Sequence, residues 1–133
     1  MKIDGSCHCG AIRYEAEIEP EAAIICHCTD CQALSGGAFR VLVPTREDDF
    51  RLTAGQPKTY VKTADSGAKR IHAFCPACGA PVYASAIADP PFYSLRVGCL
   101  QQRADLAPQK QIWCRSSLPW SEDIGDVPKI DRQ

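Results

Sequence analysis

Seven of the nine cysteines fall in three short clusters: Cys7-His8-Cys9, Cys26-His27-Cys28-Thr29-Asp30-Cys31 and Cys75-Pro76-Ala77-Cys78-Gly79. The other two, Cys99 and Cys114, stand alone. An odd number excludes a complete set of intrachain disulfides. The start, Met1-Lys2-Ile3-Asp4-Gly5, has no apolar export segment, so the cytoplasm is the expected compartment, where disulfides rarely persist. Scattered free cysteines are often just small buried hydrophobes. Paired spacings point instead to metal ligation.

Zinc takes four ligands in a tetrahedron, with sulfur about 2.3 Å from the ion. A Cys-x-Cys pair on an extended strand suits this, because side chains at i and i+2 leave one face about 6.6 Å apart and lean together. Cys7 and Cys9 form such a pair. The Cys75-Pro76-Ala77-Cys78-Gly79 turn points both sulfurs inward, with Gly79 supplying a positive φ. Together these two half-sites make a closed four-sulfur site for a structural zinc: Cys7, Cys9, Cys75 and Cys78. The middle cluster offers three sulfurs. Cys26 and Cys28 share a strand face, and Cys28 and Cys31 face alike across a helix start. A helix N-terminus beside Cys31 is expected to favour its thiolate. Three thiolates leave one tetrahedral position open, the mark that separates reactive from purely structural zinc. Spacing alone also permits Cys26 and Cys28 to join Cys75 and Cys78, leaving Cys7, Cys9 and Cys31 as the open set.

Around the cysteines the pattern is mainly β, as one domain over residues 1–133 with very little helix. Ala11 to Ile18 alternates apolar with polar, the period of a half-buried strand. Further strands are expected over 22–27, 39–43 (ending at Pro44), 59–62, 69–74, 82–86, 92–98 and 111–115, with Gly and Pro between them. One short helix is expected through Cys31-Gln32-Ala33-Leu34, capped by Thr29 or Asp30 and stopped by Gly36-Gly37. Glu47 to Phe50 reads as a helical turn. The tail from Leu118 reads as surface-wrapping, with Trp113 and Trp120 as core and staple residues. Fifteen Lys and Arg against sixteen Asp and Glu give a net charge of −1. That balance, with no run of five basic residues, argues against a nucleic-acid partner. No stretch nears the roughly 20 apolar residues that span a bilayer, so no membrane partner is expected.

The clusters in their flanking sequence, Gly5-Ser6-Cys7-His8-Cys9-Gly10-Ala11-Ile12-Arg13-Tyr14, then Cys26 to Gln32 with Gly36-Gly37-Ala38-Phe39, then Phe74-Cys75-Pro76-Ala77-Cys78-Gly79, resemble the glutathione-dependent formaldehyde-activating enzyme family, whose domain centromere protein V shares. The segment Gln111-Ile112-Trp113 with Pro119-Trp120 also resembles that family's C-terminal part. The resemblance runs from about residue 5 to 128. It implies a zinc-built β-tent of antiparallel sheets. It implies a structural zinc on Cys7, Cys9, Cys75 and Cys78, and a labile, catalytic zinc on Cys26, Cys28 and Cys31, so up to two zinc ions per chain. It implies a carbon–sulfur lyase that joins glutathione to formaldehyde, or separates them.

The chemistry suits those residues. A thiol in the open position of a zinc site is deprotonated and can attack an aldehyde carbon. His27 sits between two ligands, but i+1 on a strand points away from the metal face. His8 has the same geometry, and His72 reads as a neighbour of the Cys75 turn or a surface residue. Glutathione carries two carboxylates, so Arg40, Arg70 and Arg115 are candidates to bind them, against a plain reading as solvated strand residues. Cys99 and Cys114 are expected buried and inert. Two other readings compete with the lyase. One is a metal-stabilised binding or structural module without chemistry. The other is hydrolysis by zinc-bound hydroxide, which three charge-donating thiolates disfavour.

Overall fold

A computed structural model describes residues 1–133. Ten strands form two sheets: β1 (Lys2–Ser6), β2 (Arg13–Glu17), β3 (Ile24–Cys26), β4 (Arg40–Arg46), β5 (Phe50–Ala54), β6 (Lys58–Thr63), β7 (Lys69–Phe74), β8 (Pro81–Ala86), β9 (Phe92–Arg96) and β10 (Lys110–Ile112). The smaller sheet runs β1-β2-β5 and the larger β10-β3-β4-β9-β8-β7-β6. Every pair is antiparallel except β10 with β3, which is parallel. The only α-helix, α1 (Thr29–Ser35), is seven residues long. The fold is thus mainly β, and no helix is long and apolar enough to cross a membrane.

Alternation decides which side chains meet between the sheets. In β1 and β2 every second residue is buried, including Ile3, Tyr14 and Ala16. From the larger sheet, Val43 and its cross-strand partner Leu95 face them. Phe50, Tyr83 and Tyr93 pack as a three-ring cluster with centroids 4.7–5.3 Å apart. Such rings add attraction beyond their buried area, each pair contributing about 1 kcal/mol. Gly5 lies opposite Tyr14, and a Cβ there would sit 2.0 Å from the tyrosine ring. Only glycine lets β1 cover that ring.

Several expectations need correcting. β4 does not stop at Pro44 but runs to Arg46. The partner strand β3 begins at Ile24, opposite Leu42, so beyond Leu42 that side of β4 is an edge. The missing N–H of Pro44 therefore breaks no ladder there. The residues Glu47–Asp49 do form a 3-10 turn, but Phe50 already belongs to β5, which the sequence reading passed over along with β1. Strands end earlier at 96 and 112, where 3-10 turns over Val97–Cys99 and Cys114–Ser116 take over. Trp113 and Trp120 are not core residues: they are 52% and 61% exposed. Trp113 is held at φ 58° in a tight turn, and its ring lies under the Arg115 guanidinium at 5.1 Å.

Candidate metal centres

Two knuckles of similar build carry the first cluster. One follows β1, where Gly10 at φ 79° donates its N–H to Cys7 O at 3.1 Å. The other joins β7 to β8, where Gly79 at φ 76° donates to Cys75 O at 2.8 Å. Each glycine takes a left-handed backbone that a β-carbon would strain, and that reversal turns two sulfurs the same way. Cys7 and Cys9 therefore lie in a turn, not on the extended strand that their i, i+2 spacing suggested. The four Sγ atoms of Cys7, Cys9, Cys75 and Cys78 lie within 4.8 Å of one another. Cys7 and Cys9 are 3.6 Å apart, and Cys9 and Cys75 are 3.8 Å apart. Ligands at tetrahedral corners around one zinc stand about 3.8 Å apart at a zinc–sulfur distance of about 2.3 Å. The donor set fits one such ion. The Ile12 N–H donates to Cys7 Sγ at 3.2 Å, and the N–H groups of Ala80 and Cys9 lower the Cys78 thiol to about 6. Backbone donors of this kind favour the thiolate form that binds metal.

The second cluster sits where β3 hands over to α1. Cys26, Cys28 and Cys31 bring three Sγ atoms within 4.8 Å of one another, and no histidine or carboxylate completes the group. Cys28, not Thr29 or Asp30, caps the helix: its sulfur accepts the Cys31 N–H at 3.3 Å. The expected beneficiary of the helix N-terminus is corrected accordingly. Burial works against the Cys28 thiolate, yet the Cys31 N–H, the neighbouring thiols and Lys62 outweigh it and lower that thiol. Cys31 is pushed up to about 12, first by burial and then by Cys28 and Cys26. A metal ion replaces such protons on binding, so this cluster's affinity rises with pH.

The C-terminal part of the chain holds the cluster's loop in place. His27 donates its backbone N–H to Ile112 O at 3.0 Å, and its Nε2 pairs with Gln111 Oε1 at 2.6 Å. Gln32 donates from one amide nitrogen to His27 O at 2.8 Å and to Ser116 O at 2.9 Å. His27 is thus buried as an anchor, stacked edge-on against Phe39, and is not one of the clustered donors. His8 is exposed in its turn. Cys99 is half-buried and donates to Pro81 O at 3.1 Å, while Cys114 is exposed in the tail turn, so neither is fully buried as expected. Arg115 sits on the Trp113 ring.

A pocket of about 420 Å³ reaches toward the three-sulfur cluster through Leu34 on α1 and Arg40, and toward the second knuckle through Phe74, Gly79 and Pro81; no cysteine lines it. It opens between Leu34 on α1 and the face of the larger sheet turned away from the core. Register puts the relevant residues on that face. Arg40 is the cross-strand partner of Cys26, Arg96 of Leu42, and Tyr60 of His72. The sheet curls so far that Lys62 on β6 reaches Asp30 on α1, Nζ to Oδ2 2.6 Å. Of the arginines singled out in the sequence, only Arg40 lines the pocket; Arg96, which carried no motif, lines it too.

A closed set of four cysteines and an open set of three, on a curled β framework, offer one complete and one incomplete group of donors that could hold a metal ion. The family model described as glutathione-dependent formaldehyde-activating enzyme matches residues 2–116. The chain belongs to that family. A crystal structure of a Rhodobacter sphaeroides protein is similar, with 25% identity over 84% of this chain and 99% of that one, at a TM-score of 0.63.

Proposed function

We propose that this protein forms or cleaves the carbon–sulfur bond between a small thiol, such as glutathione, and formaldehyde or another aldehyde. The observation that carries this is the incomplete cluster: Cys26, Cys28 and Cys31 supply three sulfurs beside a ligand-sized pocket, whereas the other cluster supplies four. Cys7, Cys9, Cys75 and Cys78 hold a structural zinc, and Cys26, Cys28 and Cys31 a second zinc with one position free for substrate. Zinc, when bound, lowers the pKa of a coordinated thiol and polarises a carbonyl.

The residues do the rest. α1 and the 111–116 segment hold the loop that carries the three sulfurs. Arg40, cross-strand to Cys26, offsets the negative charge of the cluster. The thiol gives its proton to water, its sulfur forms a bond to the aldehyde carbon, the carbonyl π pair moves to oxygen, and that oxygen takes up a proton. No oxidant or reductant is consumed. Water supplies the proton through the mouth beside the exposed Tyr60. Unpaired thiols persist best in a reducing compartment, which supports the reading of a cytoplasmic protein.

The test is exchange NMR of glutathione with formaldehyde, together with zinc per chain. Wild type should catalyse the exchange and carry two zinc ions. Cys31→Ser should remain folded, lose the second zinc and slow the exchange by at least about 100-fold. Equal exchange rates would remove the catalytic role of this cluster.

A further inference from the structure

The pocket beside the three-sulfur cluster carries more positive charge than the cluster explains. Arg40 and Arg96 are only 4% and 6% exposed. Nε and both terminal nitrogens of Arg40, Nε of Arg96 and Nε2 of His72 are buried without a hydrogen-bond partner. One terminal nitrogen of Arg96 donates to His72 Nδ1 at 3.3 Å. That contact fixes the tautomer, leaving Nε2–H of His72 as a further donor. Burial first, and then Arg96 and Arg40, push the His72 imidazolium down to about 4, so the ring is neutral. Every one of the five orphan nitrogens is therefore a donor, and no aspartate or glutamate lines the pocket. The one nearby acid, Asp30, is taken by Lys62.

Buried donors without acceptors are costly and rare in a finished fold, so they point to a ligand that supplies the acceptors. The charge states what that ligand is. Three thiolates around a divalent ion would leave one negative charge against the two guanidiniums, so before a substrate thiolate arrives the pocket carries one positive charge in excess and favours an anion. Planar guanidinium forks match a carboxylate. Leu34, Tyr60 and Phe74 give the rest of the pocket an apolar wall, which suits a short carbon body.

We propose that this pocket is a carboxylate site, and that the molecule acted on beside Cys26, Cys28 and Cys31 is a short acid, bearing either an aldehyde or ketone carbonyl or a thiol close to its carboxylate. This rests on the reading of the three-sulfur cluster as the place of chemistry. Formaldehyde has no carboxylate, so where it is the carbonyl partner the thiol must bring the acceptors for these donors.

The test is isothermal titration of the zinc-loaded protein in a buffer free of carboxylate and phosphate. The probes are acetate, glyoxylate, mercaptoacetate and inorganic phosphate. Acetate should bind once per chain. Tighter binding of glyoxylate than of mercaptoacetate identifies the acid as the carbonyl partner, and the reverse identifies it as the thiol partner. Arg96→Gln should weaken acetate by about 10- to 100-fold, the range that charge-assisted hydrogen bonds cover. Leu34→Trp, on the exposed side of α1, should narrow the mouth and weaken binding at least about tenfold without touching a buried nitrogen. Absence of saturable acetate binding, an unchanged affinity in Arg96→Gln, or preference for phosphate would each overturn the proposal. The readout is binding, so it separates from the lyase reading. Glutathione–formaldehyde exchange without acetate binding removes only the carboxylate site. Acetate binding without that exchange supports the site and removes glutathione with formaldehyde as the reacting pair.

Discussion

Replacing Arg96 with methionine should make the protein more stable. Arg96 lies on β9 with a terminal nitrogen on His72 and its Nε orphaned. Burial first, and then Arg40, push its ionisation from 12.5 down to about 9. At 1.36 kcal/mol per unit, keeping this charge in the fold costs about 5 kcal/mol at neutral pH. Methionine matches the length and removes the charge. It also strands His72 Nδ1, which costs about 1–3 kcal/mol. The expected balance is a gain of about 2–4 kcal/mol, which raises Tm by about 7–14 °C for a chain of this size. The pH dependence fixes the cause. A base with a lowered folded pKa binds fewer protons folded than unfolded, so the wild-type penalty is complete below about 9 and fades between about 9 and 12.5. The advantage of the variant should therefore be largest at pH 7 and smaller by about 1 kcal/mol at pH 10. The assay is thermal unfolding followed by circular dichroism at fixed excess zinc, with neither carboxylate nor phosphate in the buffer. A variant that melts at or below wild type at pH 7 would refute the reasoning, because it would mean that the fold itself satisfies this guanidinium.

Cys78→Ala opens the four-sulfur site; it should lose one metal per chain and unfold non-cooperatively or aggregate, and a melt like that of wild type would contradict a structural role. Gly5→Ala should lower stability by about 3 kcal/mol in urea unfolding, because its Cβ would lie 2.0 Å from the Tyr14 ring; an unchanged midpoint would show that β1 shifts freely.

What the sequence made legible was local. Cys75-Pro76-Ala77-Cys78-Gly79 is a complete turn in five residues, so its shape and the positive φ of Gly79 could be read directly. The strand over 69–74 was also readable, because its neighbours on both sides are turns. The grouping of Cys7 and Cys9 with Cys75 and Cys78 was one of two that spacing allowed. It depends on a register between sheets some 66 residues apart in sequence, and no local pattern encodes that. Arg96 was hidden for the same reason. It sits in an apolar-looking run, and only its pairing with Leu42 turns it toward Arg40 and the sulfurs. The helix cap was misassigned because a cysteine sulfur took the place that a hydroxyl or carboxylate usually holds. Trp113 and Trp120 were misplaced because aromatic size suggests burial, while the 3-10 turns after β10 carry both rings to the surface.

The tripeptide Cys-His-Cys occurs twice, at 7–9 and at 26–28. In the finished fold the two copies are unlike: one ends a strand of the small sheet, and the other leads into α1. In an unfolded chain they are interchangeable, and either can share an ion with Cys75 and Cys78. Metal that arrives before the sheets form can therefore lock in a crossed pairing, with the wrong tripeptide clamped to the second knuckle. Such a chain must let its strands find their register before the ion closes the knot. The timing of metal delivery during synthesis then decides how much of the protein becomes native.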